Sequence, residues 1–331
     1  MRVIRPDSVE SHGGDSASPP EPGSARAASR YDLHVAVPYR LDLTVSALRR
    51  LSTNVVDVLT PDGHYVRAFG DAHRRVVVRV RQERADAIDV TIVGAAREHA
   101  AALARVRRIL GVDRELAHFY RAASRMAWLR PLAHRMRGVK PPRYPSLWEA
   151  FVNAIAFQQV SLHAASAIVR RLIVTLGQPV ERAGTLSYVF PSAERVLGAE
   201  EELLRATGLS ANKLATLRRA GEALASGALD EAMLEERSSP DAVALLRQIK
   251  GIGPWTATVI LLRGLGRLDV FPMNDTSVAR NLALVAGSAT LDVGKILEAL
   301  GPQRGMLYYH LLLARLESRG ELEGAPTVSR E

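Results

Sequence analysis

The 331-residue chain contains no cysteine. That absence excludes a disulfide framework, a thiolate zinc site, an iron–sulfur cluster and a cysteine nucleophile. No apolar run approaches the ~20 residues a membrane-spanning helix needs. The N-terminus lacks an apolar h-region, so a secretion signal is not expected. These absences point to a soluble cytoplasmic protein. Its length suggests about two domains by the usual ~150-residue prior. What is present agrees: hydrophobic residues make up 47%, enough for a sizeable core. Lys and Arg number 44 against 35 Asp and Glu, a formal charge of +9 that suggests an anionic partner without naming it.

Residues 1–30 are rich in Ser, Pro, Gly and Ala and show no periodicity, which predicts a disordered tail. From Tyr31 the pattern changes. Residues 31–37 alternate in part and are β-branched, and 43–51 have helical spacing. NVVDVLT and HYVRAFG flank Pro61-Asp62-Gly63, a turn sequence that predicts a hairpin. Residues 74–81 and 88–94 add two strands, and 95–110 form a helical stripe stopped by Gly111. The expected fold of residues 31–112 is a small α+β domain, an antiparallel sheet covered by helices.

Beyond residue 112 no further strand is expected. Residues 113–320 predict an all-α domain, with 321–331 frayed. Ser146 with Glu149 forms a capping-box pattern ahead of a helix to about Phe157. Further helices are expected over 161–177, from Pro191-Ser192, over 201–207 and over 211–227. Ser239-Pro240 is an N-cap with proline in the first turn. A helix from Pro254 to about Gly264, one from Asn274 and one over 304–318 complete the reading.

Charge is uneven along the chain. Residues 97–143 hold twelve Lys or Arg against three acids, a balance equal to the whole chain's excess. A second basic group lies at Lys213, Arg218 and Arg219. Solvated helix faces and a phosphate-facing surface both fit this pattern.

The most informative segment is LLRQIKGIGPWTATVILLRGLGRLDVFPMNDTSVARNL, residues 245–282. A helix ends at Ile249-Lys250. Gly251-Ile252-Gly253 then allows a tight turn, since glycine tolerates positive φ and close backbone approach. Pro254 starts the next helix, whose N-terminal amides point outward and suit phosphate. Such contacts position a protein on DNA without reading sequence.

This segment resembles the helix–hairpin–helix of the base-excision DNA glycosylase superfamily, named HhH-GPD for the hairpin and for a Gly/Pro-rich loop followed by an aspartate. Here Val270-Phe-Pro-Met-Asn-Asp275 stands in that place, with Asp275 20 positions after Trp255. RYPSLWEAFVNAIAFQQVSLHAA (143–165), the segment 190–224 with its Gly-Leu-Ser turn before Lys213, and GPQRGMLYYHLLL (301–313) resemble the family's other segments in order. The α+β part resembles the N-terminal domain of the DNA-3-methyladenine glycosylase II subgroup.

The resemblance implies roles. Asp275 would face the sugar of a nucleotide flipped out of the duplex and stabilise positive charge as the N-glycosidic bond breaks. A carboxylate opening a helix is also an ordinary N-cap. Bifunctional relatives carry a lysine where Trp255 stands. Trp255 cannot form a Schiff base, which implies a monofunctional hydrolase. An alkylated purine is already cationic, so aromatic faces suit it. Trp255, Tyr308, Trp148 and Tyr144 are the substrate-binding candidates, with Tyr309 behind them; core packing is the alternative for each. Val259 and Gln303 stand where the best-known alkylation enzymes carry aromatics. DNA contact is assigned to Lys250, Gly251, Ile252, Gly253, Gln158, Gln159, Ser161, Lys213 and Arg304, with Gln159 filling the gap left by the flipped base.

No metal-ligand spacing is seen, and no cofactor is expected beyond a structural monovalent cation at the hairpin. The implied partner of this monomer is damaged duplex DNA, in a cytoplasmic, nucleoid-associated setting. Two alternatives stay open: excision of deaminated or oxidised bases on the same scaffold, and an inactive DNA-binding module.

Overall fold

The structure, a computed structural model, describes residues 28–71, 74–273, 275–287 and 291–322. Most of the expected tail, Asn274 and the end of the chain lie outside these residues. The last three tail residues are strand instead: β1 spans Ala28–His34, and Ala28 to Arg30 pair with Val93 to Thr91.

Five strands form one antiparallel sheet in the order β1-β5-β4-β3-β2, with β2 (Val58–Leu59), β3 (Tyr65–Phe69), β4 (Val76–Arg84) and β5 (Ala87–Val93). The Pro61-Asp62-Gly63 turn joins β2 to β3, with Leu59 opposite Tyr65 and Gly63 at φ 80°. Helices α1 (Leu41–Arg49) and α2 (His99–Leu110) cover one face. Val78, Val80, Ile88, Val90 and Ile92 are fully buried there with Val106, Ile109 and Leu110. At ~1.5–3 kcal/mol per buried aliphatic side chain, this layer dominates the favourable energy of the sheet. Gly111 ends α2 in the left-handed region.

The rest is helical: α3 (Ala117–Ser124), α4 (Arg130–Arg135), α5 (Leu147–Ala156), α6 (Leu162–Leu176), α7 (Ala193–Leu197), α8 (Glu201–Ala206), α9 (Ala211–Ala225), α10 (Glu231–Glu235), α11 (Ser239–Leu246), α12 (Pro254–Ile260), α13 (Thr276–Ala286), α14 (Val293–Leu300) and α15 (Met306–Ser318). One expectation fails here. After α6 the chain forms a hairpin, β6 (Gln178–Arg182) and β7 (Thr185–Val189). Its two-residue turn is Ala183-Gly184, both at positive φ, the geometry that matches strand twist. Val180 and Val189 pack on Val66, Ala68 and Val77, so the hairpin covers the sheet face that the helices leave bare. The strands are short and bury only Val180, Ser187 and Val189, so local pattern carries little of this.

Two smaller corrections are local. The cap of α11 is Ser238, whose hydroxyl accepts from the Asp241 amide; Ser239 is the first helical residue. The helix expected over 254–264 is α-helical to Ile260 and then widens into one π-helical turn, Leu261–Leu265. That turn carries Arg263, fully buried, to the carbonyls of Ala47 and Leu48 at the end of α1 (3.0 and 2.9 Å). The sheet and the helices thus share one continuous core.

Candidate functional site

A cleft of about 820 Å³ opens where four segments meet. These are the α5–α6 turn, the 251–253 hairpin with the start of α12, the start of α13, and the flank of α15. The end of α1 closes one wall through Arg50.

The hairpin is built as its sequence requires. Gly251 has φ 102°, and a Cβ there would lie 2.0 Å from Thr216 Oγ1. Ile252 is buried and anchors the turn. Gly253 is the N-cap of α12, and a Cβ there would meet nothing within 4 Å. The first-turn amides of α12 have no partner within the helix, and the turn is uncrowded at Gly253. Lys250 is exposed beside them. Gln158 ties the α5–α6 turn to this hairpin, its Nε2 donating to the Gly251 carbonyl (3.0 Å) and to Thr256 Oγ1 (2.9 Å). Next to it, Gln159 is exposed at φ 54°, a backbone region costly for a non-glycine residue and frequent at functional sites. Ser161 caps α6 through the Ala164 amide (3.2 Å) and also lines the cleft.

Asp275 is half-buried in the same cleft, and it is an N-cap as well as a cleft residue. Its Oδ1 accepts from the amides of Ser277 (2.7 Å) and Val278 (3.3 Å). Its Oδ2 accepts from the Trp255 indole N–H at 2.8 Å. Bonds to a carboxylate are charge-assisted, and the positive end of α13 adds to them. The result is a fixed anion beside a neutral, amide-lined turn.

The aromatic candidates separate. Trp255 and Tyr308 line the cleft. Trp148 and Tyr144 do not: both are buried, Trp148 donating to the Pro191 carbonyl (3.0 Å) and Tyr144 lying under the Arg263 guanidinium. Tyr309 is fully buried and donates to main-chain carbonyls. Val259 is core, and Gln303 clamps the start of α3 by accepting from the Phe119 amide and donating to the Glu115 carbonyl. Neither position lines the cleft, so neither narrows it.

Two of the expected DNA contacts are half-buried and bonded to main-chain carbonyls. Lys213 Nζ donates to the Ala156 carbonyl at the end of α5 (2.9 Å), and burial lowers its pKa. Arg304 bonds back to the Gly301 carbonyl (2.9 Å). Much of the basic run is structural too. Arg107 pairs with Asp113, Arg108 and Arg143 with Glu231, and Arg135 with Glu317, while Lys140 is buried on the Arg114 carbonyl. No residue of 97–143 lines the cleft; Arg50, Arg280, Arg315 and Arg319 do.

Arg50 and Phe157 are residues that sequence reasoning missed. Arg50 is 5% exposed, at φ 64°, with its guanidinium 3.8 Å from the Phe157 ring centroid. Its Nη2 reaches the Tyr308 hydroxyl (3.4 Å), and its Nη1 has no partner among the described residues. Phe157 precedes Gln158 and was visible as the last apolar residue before the turn. Arg50 lies 258 residues before Tyr308, which its Nη2 reaches, and has no local signal.

Comparison with known proteins agrees with this geometry. Residues 152–301 match the HhH-GPD superfamily base excision DNA repair protein family. The chain is 34% identical over 196 residues to a probable bifunctional transcriptional activator/DNA repair enzyme AlkA of Mycobacterium tuberculosis, covering 58% of this chain and 38% of that protein. It is 24% identical over 284 residues to DNA-3-methyladenine glycosylase 2 of Escherichia coli, covering 85% and 96%. A 3-methyladenine DNA-glycosylase structure from Archaeoglobus fulgidus superposes with a TM-score of 0.72 at 26% identity, over 87% of this chain and 99% of that one. The chain thus spans well under half the length of the mycobacterial relative. The hairpin, the aspartate beyond it and these likenesses together place residues 152–301 of this chain in the HhH-GPD superfamily.

Proposed function

We propose that the protein is a monofunctional DNA glycosylase that removes alkylated purines of the 3-methyladenine or 7-methylguanine type from duplex DNA. The observation that carries the reading is Asp275, a carboxylate held on the wall of an 820 Å³ cleft beside an amide-lined hairpin. The hairpin, with Gly253 open to approach, would hold a backbone phosphate. Gln159 at its exposed turn would fill the place of a nucleotide rotated into the cleft, with Gln158 and Ser161 behind it.

The chemistry follows from the charge. The bond between C1′ and the base nitrogen breaks with its electron pair leaving on the base. An N3- or N7-alkylated purine is cationic and departs neutral, so it needs no acid. Positive charge then develops on C1′ and the ring oxygen, and Asp275 opposes it. Water adds to C1′ and its proton passes to Asp275 or solvent. The residue after Pro254 is Trp255, and no lysine follows the hairpin before Asp275, so no Schiff base forms there. Tyr308, Phe157 and Trp255 supply aromatic surface for the base.

The reaction as proposed uses no cofactor. A monovalent cation at the hairpin would share carbonyls with Arg219, which donates to Lys250, and with Gln158, which donates to Gly251. A monomer acting on damaged duplex DNA in the cytoplasm completes the reading. Arg50 favours a second substrate class, since its buried Nη1, without a partner among the described residues, suits a neutral base with an acceptor edge, as in deaminated purines.

The test is release of free base from duplexes carrying 7-methylguanine, hypoxanthine or 8-oxoguanine. Wild type should release the first and Asp275→Asn should not. An Asp275→Asn protein as active as wild type refutes the mechanism, and a borohydride-trapped covalent complex refutes the monofunctional assignment.

A further inference from the structure

Trp255 entered the argument as an aromatic face for the base, but its polar edge is committed elsewhere. The indole N–H donates to Asp275 Oδ2 at 2.8 Å. The other carboxylate oxygen is held by two amides of α13. Among the described residues, no other donor reaches Oδ2. Asp275 follows a loop, so its backbone alone does not fix the rotation of its carboxyl group. The rotation is fixed because one oxygen is bound to α13 and the other to α12.

The place of Trp255 in the chain gives this bond a consequence. Trp255 lies in the first turn of α12, two residues after Gly253. The same turn carries the hairpin's amides that have no partner within the helix. One hydrogen bond therefore joins the proposed phosphate grip to the proposed reacting carboxylate, across 20 residues of sequence.

We propose that Trp255 is a positioning residue for Asp275, and that its N–H, more than its ring face, is what the reaction requires. The inference rests on the glycosylase reading of Asp275. A pure stacking residue would need only its face, which phenylalanine retains. A positioning donor would lose its function in Trp255→Phe even though the aromatic surface remains.

The experiment has two arms on the full chain. In single-turnover excision of 7-methylguanine, Trp255→Phe should slow cleavage by about 10- to 100-fold, the range of one charge-assisted hydrogen bond. Its Kd for the lesion duplex should stay within about threefold of wild type, because the face is kept. A Trp255→Phe rate within about twofold of wild type overturns the proposal. The second arm needs no DNA. In the ¹H–¹⁵N spectrum of the free protein, Asp275→Ala should move the Trp255 indole resonance upfield and leave those of Trp128 and Trp148 in place. An unmoved Trp255 resonance also overturns it. Because this arm reads the hydrogen bond alone, its failure is distinct from failure of the glycosylase reading, which shows as a wild type that releases no base.

Discussion

Replacing Glu149 by Gln should stabilise the protein at pH 8 and have little effect at pH 5. Glu149 is 3% exposed and lies 2.6 Å from Arg67 Nη2. Arg67 also pairs with the buried Asp57, whose Oδ1 accepts from the Tyr65 hydroxyl at 2.9 Å. One guanidinium cannot neutralise two carboxylates, so the cluster is left with an excess negative charge in the core. Burial pushes the Glu149 carboxyl up to about 7, against the pull of Arg67 and helped by the repulsion of Asp57. An unfolded glutamate ionises near 4.5. Between these values the folded protein holds a proton that the unfolded chain has released. Raising the pH through this window therefore weakens the fold, and integration from pH 5 to 8 gives about 2 to 3 kcal/mol. Gln keeps an acceptor for Arg67 and has no proton to lose. The assay is urea unfolding of both proteins at pH 5 and pH 8. The quantity to read is the stability of Glu149→Gln minus that of wild type, because other titrating groups contribute equally to both. That difference should grow by about 2 to 3 kcal/mol towards pH 8. A difference that stays constant within about 0.5 kcal/mol, or that shrinks, refutes the reasoning.

The two hairpin glycines should respond differently to alanine. Gly251→Ala combines φ 102° with a Cβ 2.0 Å from Thr216 Oγ1, and should cost about 3 kcal/mol in chemical denaturation. Gly253→Ala meets open space and should melt with wild type, yet bind duplex DNA more weakly because its methyl stands where a phosphate would approach. His310 sets the acid limb. It is fully buried with its ring 4.5 Å from that of Phe119, and burial lowers its pKa to about 4. Its contribution is complete above the unfolded value of 6.5 and is lost as pH falls towards 4, about 2 kcal/mol by pH 5. His310→Leu should remove that loss; unchanged acid sensitivity in urea melts at pH 7 and 5 would count against it.

What the sequence determined by itself was whatever repeats or closes within a few residues. Strand alternation, the helical stripe of α2, the serine caps and the spacing from Gly251 through Trp255 to Asp275 are of this kind. Each depends on φ/ψ preference or on hydrogen bonds to the next turn, so it is written locally. Glu149 shows where that ends. Its amide is bonded to Ser146 Oγ as the capping pattern predicts, but its carboxylate turns away to Arg67, 82 residues earlier. Lys213, assigned to DNA contact, and Lys140, part of the basic run, are likewise bonded to main-chain carbonyls. The β6–β7 hairpin exists because a bare sheet face 100 residues back needs cover, which no local period records. In the cleft, sequence found Asp275 and Trp255 but not that one holds the other, and it found neither Arg50 nor the fate of Trp148. Side chains of one type differ little in sequence context. Which of them face a cleft, and which fill the core, is settled when distant segments pack and every buried polar atom must find a partner.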